Sequence, residues 1–232
     1  GLNDIQGRHV KKIHVLKAIQ NTKSGPVDEG SVGAGTGTRA LGFKGGIGTS
    51  SRLLPKEIGG FTVGVLVQTN FGGSLMINGA PVGRELKKSP FSSNIPYDGE
   101  EGSCMIVIAT DAPLANRNLK RMAERVSHAF GRVGAYSSNG SGDYAIIFST
   151  YRPEYQDDKM ISSKELKNSL MNGLFMATVE ATEEAIINSL FMAESISSKY
   201  GKSQALPIDE TMKILKKYKA LNWNNKLYPW EK

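Results

Sequence analysis

Twenty of the 26 glycines fall in residues 1–102, and only six in residues 103–232. Glycine in a helix interior costs about 1 kcal/mol relative to alanine. The first stretch is therefore no helical bundle; it must be built from loops, short strands and close backbone approaches. The second stretch is free to form long helices. Charge does not divide in the same way, because the first stretch holds 12 basic and 8 acidic residues and the second 17 and 14. The two parts differ in backbone character and not in electrostatics.

The pattern of apolar residues places the elements. Residues 9–19 predict a helix, with Val10, Ile13, Leu16 and Ile19 at helical spacing. Residues 21–60 read as loops and short strands. Residues 61–70 (FTVGVLVQTN) predict a buried strand, with 74–77 as its hairpin partner, and 81–102 reads as an exposed linker. Residues 104–110 (CMIVIAT) predict a second buried strand. Asp111 is expected to cap a helix with Pro113 in its first turn, carrying the stripe Leu119, Met122, Ala123, Val126 and Phe130. Residues 144–149 (YAIIFS) predict a third strand. Ser162 and Glu165 match a capping box opening a helix to about Ser197, and 209–219 predicts a last amphipathic helix. Strands and helices mix without strict alternation, which favours an α+β layered sandwich over a doubly wound parallel sheet.

Composition narrows the function classes. At 232 residues the chain can bury a sizeable core as one domain. It has no apolar run of about 18 residues, so no transmembrane helix is expected. One cysteine, Cys104, excludes an internal disulfide framework, and with only three histidines a metal site is not expected. The net charge of +7 permits nucleic-acid binding, but the basic residues are scattered. The densest segment, 213–219 (KILKKYK), has the spacing of a solvated helix face.

Four segments could carry chemistry. The glycine-rich loops GAGTG (33–37) and KGGIGT (44–49) resemble phosphate cradles, yet they match neither the dinucleotide fingerprint nor the P-loop. The second segment is the junction DGEEGSCMIVIA (98–109), where a polar stretch ends in Gly102-Ser103 and enters a strand. A serine hydroxyl there can attack the preceding carbonyl, and the freed α-amine can then serve as base for the same hydroxyl. Cleavage one bond later would make Cys104 the nucleophile instead. The third segment is SSNGSGD (137–143), where Ser141 and Asp143 share a face if the strand already begins there. The fourth is Asn70 at its strand end, where a carboxamide N–H can stabilise an oxyanion.

These pieces occur in an order that resembles the L-aminopeptidase/D-esterase and β-peptidyl aminopeptidase family of self-processing N-terminal-serine hydrolases. The matching segments are LNDIQGRHV (2–10), GAGTG (33–37), FKGGIGTSSR (43–52), VLVQTN (65–70), GS (102–103), IATDAPL (108–114) and NGSGD (139–143). The resemblance implies a four-layer αββα sandwich, also used by ornithine acetyltransferases. It implies cleavage between Gly102 and Ser103 into an α part (1–102) and a β part (103–232), with Ser103 as nucleophile. Ser141 and Asp143 would orient and tune it, Asp143 standing where some members carry a longer Glu. Asn70 would supply the oxyanion hole, and Gly35, Gly37, Gly45 and Gly46 would shape the substrate pocket. No metal or organic cofactor is implied, and neither nucleic acid nor membrane. The implied substrates are short peptides, amides or esters, and the implied assembly is a tetramer of processed αβ units. The segment 2–10 lies well inside family members, so about the first third of the family's length is expected to be missing. The expected location is cytoplasmic, or periplasmic or secreted if a signal preceded Gly1. Two competing functions are an acyltransferase on the same fold and a non-catalytic basic nucleic-acid-binding module.

Overall fold

A computed structural model of the chain describes residues 2–90, 102–155, 161–162 and 164–221. Its centre is a four-stranded sheet of β3 (Ile47–Leu53), β4 (Thr62–Gln68), β5 (Met105–Thr110) and β6 (Tyr144–Ser149), in that spatial order. β3, β4 and β5 pair antiparallel, and β6 lies parallel to β5. Ahead of the sheet, β1 (Arg39–Ala40) and β2 (Phe43–Lys44) form a tight hairpin.

β4 shows why this segment is a strand. Val63, Val65 and Val67 alternate onto one face and are buried, and across the ladder Val65 pairs with Ile108 and Val67 with Ile106. Each such apolar side chain is worth about 1.5–3 kcal/mol when buried. A long helix, α5 (Met171–Phe191), covers this face and packs on β3 and β4. Its row Ala177, Ala181 and Ala185 is small, so its backbone comes close to the sheet. A Cβ on Gly48 of β3 would sit 1.9 Å from the Ala185 carbonyl oxygen, so this contact requires glycine.

The opposite face is open. Its rows run Gln68–Met105–Tyr144, Leu66–Val107–Ile146 and Gly64–Ala109–Phe148. Tyr144 and Ile146 are 62% and 57% exposed. The α+β class stands, and the described residues supply a sheet with one helix layer on it. Strands 61–70 and 104–110 were expected to be buried on both sides; here they are buried on one.

The helices differ from expectation in instructive places. α1 spans Lys12–Gln20 and begins where the His14 ring accepts the Lys11 backbone N–H at 2.9 Å. Its apolar stripe is real, but none of its residues is buried. Residues 74–77 pair with no strand of the sheet; Ser74 and Met76 donate their backbone N–H groups to the carbonyls of Gly134 and Val133. Within the expected linker 81–102, Val82–Glu85 forms a short helix, α2, with Val82 and Gly83 buried, and residues 91–101 lie outside the described residues. Asp111 caps no helix, because its carboxylate accepts the Thr62 N–H at 2.7 Å. The stripe that follows is split over α3 (Asn116–Ala123) and α4 (Val126–Arg132), with Met122, Val126 and Phe130 buried. No helix opens at the expected capping box: Glu165 accepts from the Asn118 amide at 3.1 Å, and the long helix starts at Met171. The last helix, α6 (Ile208–Lys217), buries Ile214 and Leu215 and leaves Lys213, Lys216 and Lys217 exposed.

Candidate active site

The two central strands meet at one end of the sheet, and four of the expected site residues converge there. β4 leaves the sheet through Thr69, which is buried. Thr69 donates its N–H to the Gly46 carbonyl at 2.9 Å, and its hydroxyl lies 3.0 Å from both the Gly46 N–H and the Ser189 hydroxyl. Asn70 is thereby fixed beside the start of β5. The Ser103 backbone N–H donates to the Asn70 carbonyl at 2.5 Å. The Asn70 side chain is fixed as well: its Oδ1 accepts the Arg39 backbone N–H at 3.2 Å. With Oδ1 engaged by the hairpin, the NH₂ group is the end of the carboxamide left to serve as donor.

Ser103 is half-buried and heads β5. Its Oγ accepts the Gly142 backbone N–H at 3.2 Å. Gly102 before it is buried, and a Cβ there would lie 2.3 Å from the Asn70 carbonyl oxygen. No other residue fits that position without movement.

Asp143 stands just before β6, and its carboxylate ties the neighbouring segments together. Oδ1 accepts the Cys104 N–H at 2.9 Å, and Oδ2 accepts the hydroxyls of Ser141 at 3.2 Å and Ser137 at 3.4 Å. Ser141 and Asp143 are thus joined directly, although the strand begins only at Tyr144. Cys104 points into the core. Desolvation, with a smaller contribution from the Asp143 charge, pushes its thiol far above the ordinary range. A thiol held protonated in this way is a poor nucleophile.

The four expected pocket glycines sit at close approaches, Gly35, Gly45 and Gly46 near other backbone and Gly37 against the Asn3 side chain. A Cβ at Gly46 would lie 2.1 Å from the Gly30 carbonyl oxygen, at Gly45 2.8 Å from the Thr69 hydroxyl, at Gly35 2.7 Å from the Ile47 nitrogen and at Gly37 1.9 Å from the Asn3 amide. Beneath them Lys44 is fully buried, with its ammonium donating to the carbonyls of Gly35 and Gly45, each at 2.6 Å. Burial pulls its pKa down to about 8. Three contributors escape a reading of the sequence: the N–H groups of Arg39 and Gly142, and the Lys44 ammonium. The first is 31 positions from its acceptor and the second 39. Only the abundance of glycine around them signals that backbone approaches closely here. Among the described residues, no three His, Cys, Asp or Glu side chains group as a metal site, and no helix is long and apolar enough to cross a membrane.

The α+β sheet thus presents Ser103 at the head of a central strand, beside Asn70 and the hydrogen-bonded pair Ser141 and Asp143. Residues 1–204 match the family model described as peptidase family S58, and the chain belongs to that family. It is 43% identical over 235 residues to a curated β-peptidyl aminopeptidase, BapA of Sphingosinicella microcystinivorans, covering 95% of this chain and 59% of that protein. The crystal structure of the PH0078 protein from Pyrococcus horikoshii OT3 superposes with a TM-score of 0.81 at 46% identity, over 94% of this chain and 60% of that one. An L-aminopeptidase D-Ala-esterase/amidase from Ochrobactrum anthropi, described as a prototype of the serine aminopeptidases and a new variant of the Ntn hydrolase fold, superposes with the same score at 36% identity. That match covers 94% of this chain and 60% of that one. The chain therefore spans about three fifths of the length of these relatives.

Proposed function

We propose that the chain carries the processing site and nucleophile of a self-processing serine aminopeptidase, which releases N-terminal residues from short peptides, amides or esters. The observation that carries this reading is the convergence at the head of β5. The Ser103 N–H is bonded to Asn70, the Ser103 Oγ faces the Gly142 N–H, and Asp143 is tied to Cys104 and Ser141. Peptidase family membership and the names of the similar proteins support the substrate class.

In processing, Ser103 Oγ attacks the Gly102 carbonyl carbon. A C–O bond forms, the Gly102–Ser103 C–N bond breaks, and the departing nitrogen takes the hydroxyl proton. Water then hydrolyses the ester, leaving an α part (1–102) with a Gly102 carboxylate and a β part (103–232) beginning at Ser103. A crowded Gly102, hemmed by the Asn70 carbonyl, suits this step because the scissile bond has little freedom to turn away.

In turnover, the freed amine acts as general base; such amines ordinarily titrate near pH 7.7–8.0. It takes the Oγ proton as Oγ attacks the substrate carbonyl, then returns it to the leaving amine. Water resolves the acyl-enzyme by the same route in reverse. The Asn70 NH₂ group, aligned by Arg39, stabilises the developing oxyanion. Ser141 and Asp143 hold the approach to Ser103, and Gly35, Gly37, Gly45 and Gly46 form the pocket's backbone wall. Processed units assemble into a homo-oligomer, with a tetramer expected.

Intact mass under denaturing conditions tests the reading. Cleavage after Gly102 splits the 25.1 kDa chain into pieces of roughly 11 and 14 kDa, in proportion to 102 and 130 residues. Ser103→Ala should give one species and no release of p-nitroaniline from aminoacyl p-nitroanilides. Turnover retained by Ser103→Ala would overturn the assignment.

A further inference from the structure

Beside Asn70, on the far side of the β1–β2 hairpin, lies a cavity of about 310 Å³ lined by Arg39, Gly42, Lys88, Lys202, Ser203 and Gln204. Its lining holds three cations and no carboxylate. Among the described lysines and arginines only Arg52, Arg125, Arg132 and Lys217 are ion-paired, so it is the meeting of three cations in one cavity, and not their lack of partners, that marks this place. Arg39, Lys88 and Lys202 have no carboxylate within ion-pair distance among the described residues. Three like charges converging on one concavity repel one another and raise the local concentration of anions.

The walls are built and not incidental. The Lys44 N–H donates to the Gln204 carbonyl at 2.6 Å, and the Arg39 guanidinium donates to the Lys202 carbonyl at 3.0 Å, so the hairpin is tied to the 202–204 segment. Gly42 sits at φ +85°, where a Cβ would lie 2.8 Å from the Lys88 carbonyl oxygen; glycine alone lets Lys88 close the third side. The volume is in the range of small-ligand sites. The fork of a guanidinium, with lysines on either side, matches a planar carboxylate.

We propose that this cavity is a binding site for a small carboxylate-bearing molecule. The site adjoins the end of the sheet that carries Asn70, because Arg39, which lines the cavity and whose guanidinium bonds the Lys202 carbonyl, gives its backbone N–H to the Asn70 side chain. The carboxylate can come from either of two sources, the free C-terminus of a short peptide or a separate small dicarboxylate. The site stands on its own geometry and does not depend on hydrolysis.

Calorimetric titration of the Ser103→Ala chain at fixed ionic strength tests this without turnover. The probes are succinate, N-acetyl-glycylglycine as the free acid, and the same peptide as its C-terminal amide. At least one carboxylate probe should bind, and the amide should bind at least tenfold more weakly than the acid. Binding of the peptide acid alone would assign the site to a substrate's C-terminus; binding of succinate alone would assign it to a separate effector. Arg39→Ala should weaken the bound probe at least fivefold. Lys88→Ala, which disturbs no hydrogen bond of the hairpin, should do the same, whereas Lys120→Ala on α3 should leave affinity within twofold. No binding by either carboxylate, measurable binding of the peptide acid matched by its amide, or equal losses in Lys88→Ala and Lys120→Ala would overturn the proposal.

Discussion

Asn70 holds Ser103 through its main chain and presents its side chain separately: the Asn70 carbonyl accepts the Ser103 N–H at 2.5 Å, while Oδ1 is occupied by the Arg39 N–H at 3.2 Å. One residue thus positions the nucleophile's backbone and keeps an amide donor free. Asn70→Ala removes the donor and leaves the carbonyl contact in place. We expect kcat for aminoacyl p-nitroanilides to fall by about 10²–10³, with KM changing much less. Steady-state kinetics on processed protein checks this; a change confined to KM would point to substrate binding instead.

Gly102→Ala places a methyl 2.3 Å from the Asn70 carbonyl oxygen and 2.7 Å from the Phe71 Cα. Both obstacles are backbone, so relief requires the strand ends to part. The expected cost is about 1–3 kcal/mol, together with loss or marked slowing of cleavage. Urea denaturation and the time course of the two fragments by mass report these separately.

Lys44 makes stability depend on pH in a defined direction. Its folded pKa is near 8, below the ordinary 10.5, because burial disfavours the charge. Between these values the unfolded chain binds the proton that the folded chain has released, so stability rises with pH. The gain by pH 10.5 is on the order of 3 kcal/mol, at about 1.4 kcal/mol per unit of pKa difference. Lys44→Met lacks this group, so the wild-type advantage over the variant should grow between pH 7 and 10. Parallel urea curves at the two pH values would contradict the buried amine.

Cys104 titrates in the opposite sense. Its thiol stays protonated in the fold far above the pH at which an unfolded cysteine ionises, so its contribution to stability is lost as pH rises past the unfolded value. Iodoacetamide at pH 8.5 should leave the native chain unmodified and label it fully in urea, adding one carbamidomethyl group by intact mass. Rapid native labelling would mean that the head of β5 opens.

Much of the fold was legible because side-chain periodicity is a local property. The apolar run FTVGVLVQTN announced β4, though not that only its Val63, Val65 and Val67 face is buried, and the amphipathic spacing of 209–219 announced α6. Local signals failed where a distant partner competed for the same group. Glu165 matched a capping box but is engaged by Asn118, 47 positions away. Asp111 resembled an N-cap but serves the Thr62 N–H across the sheet. The stripe on α1 was read correctly as helical, but periodicity does not say whether an apolar face is covered, and here it is exposed.

The same division runs through the candidate site. The sequence by itself determined which groups are present and in what order: an asparagine at a strand end, a Gly-Ser pair entering a strand, and a serine two positions before an aspartate. Those features depend on neighbours in the chain. Only the tertiary structure decided that Arg39 turns the Asn70 amide, that Gly142 faces the Ser103 hydroxyl and that Arg39, Lys88 and Lys202 share one cavity. These relationships are set by strand register and by glycine-permitted backbone approaches across dozens of residues, and no local pattern of side chains encodes such distances.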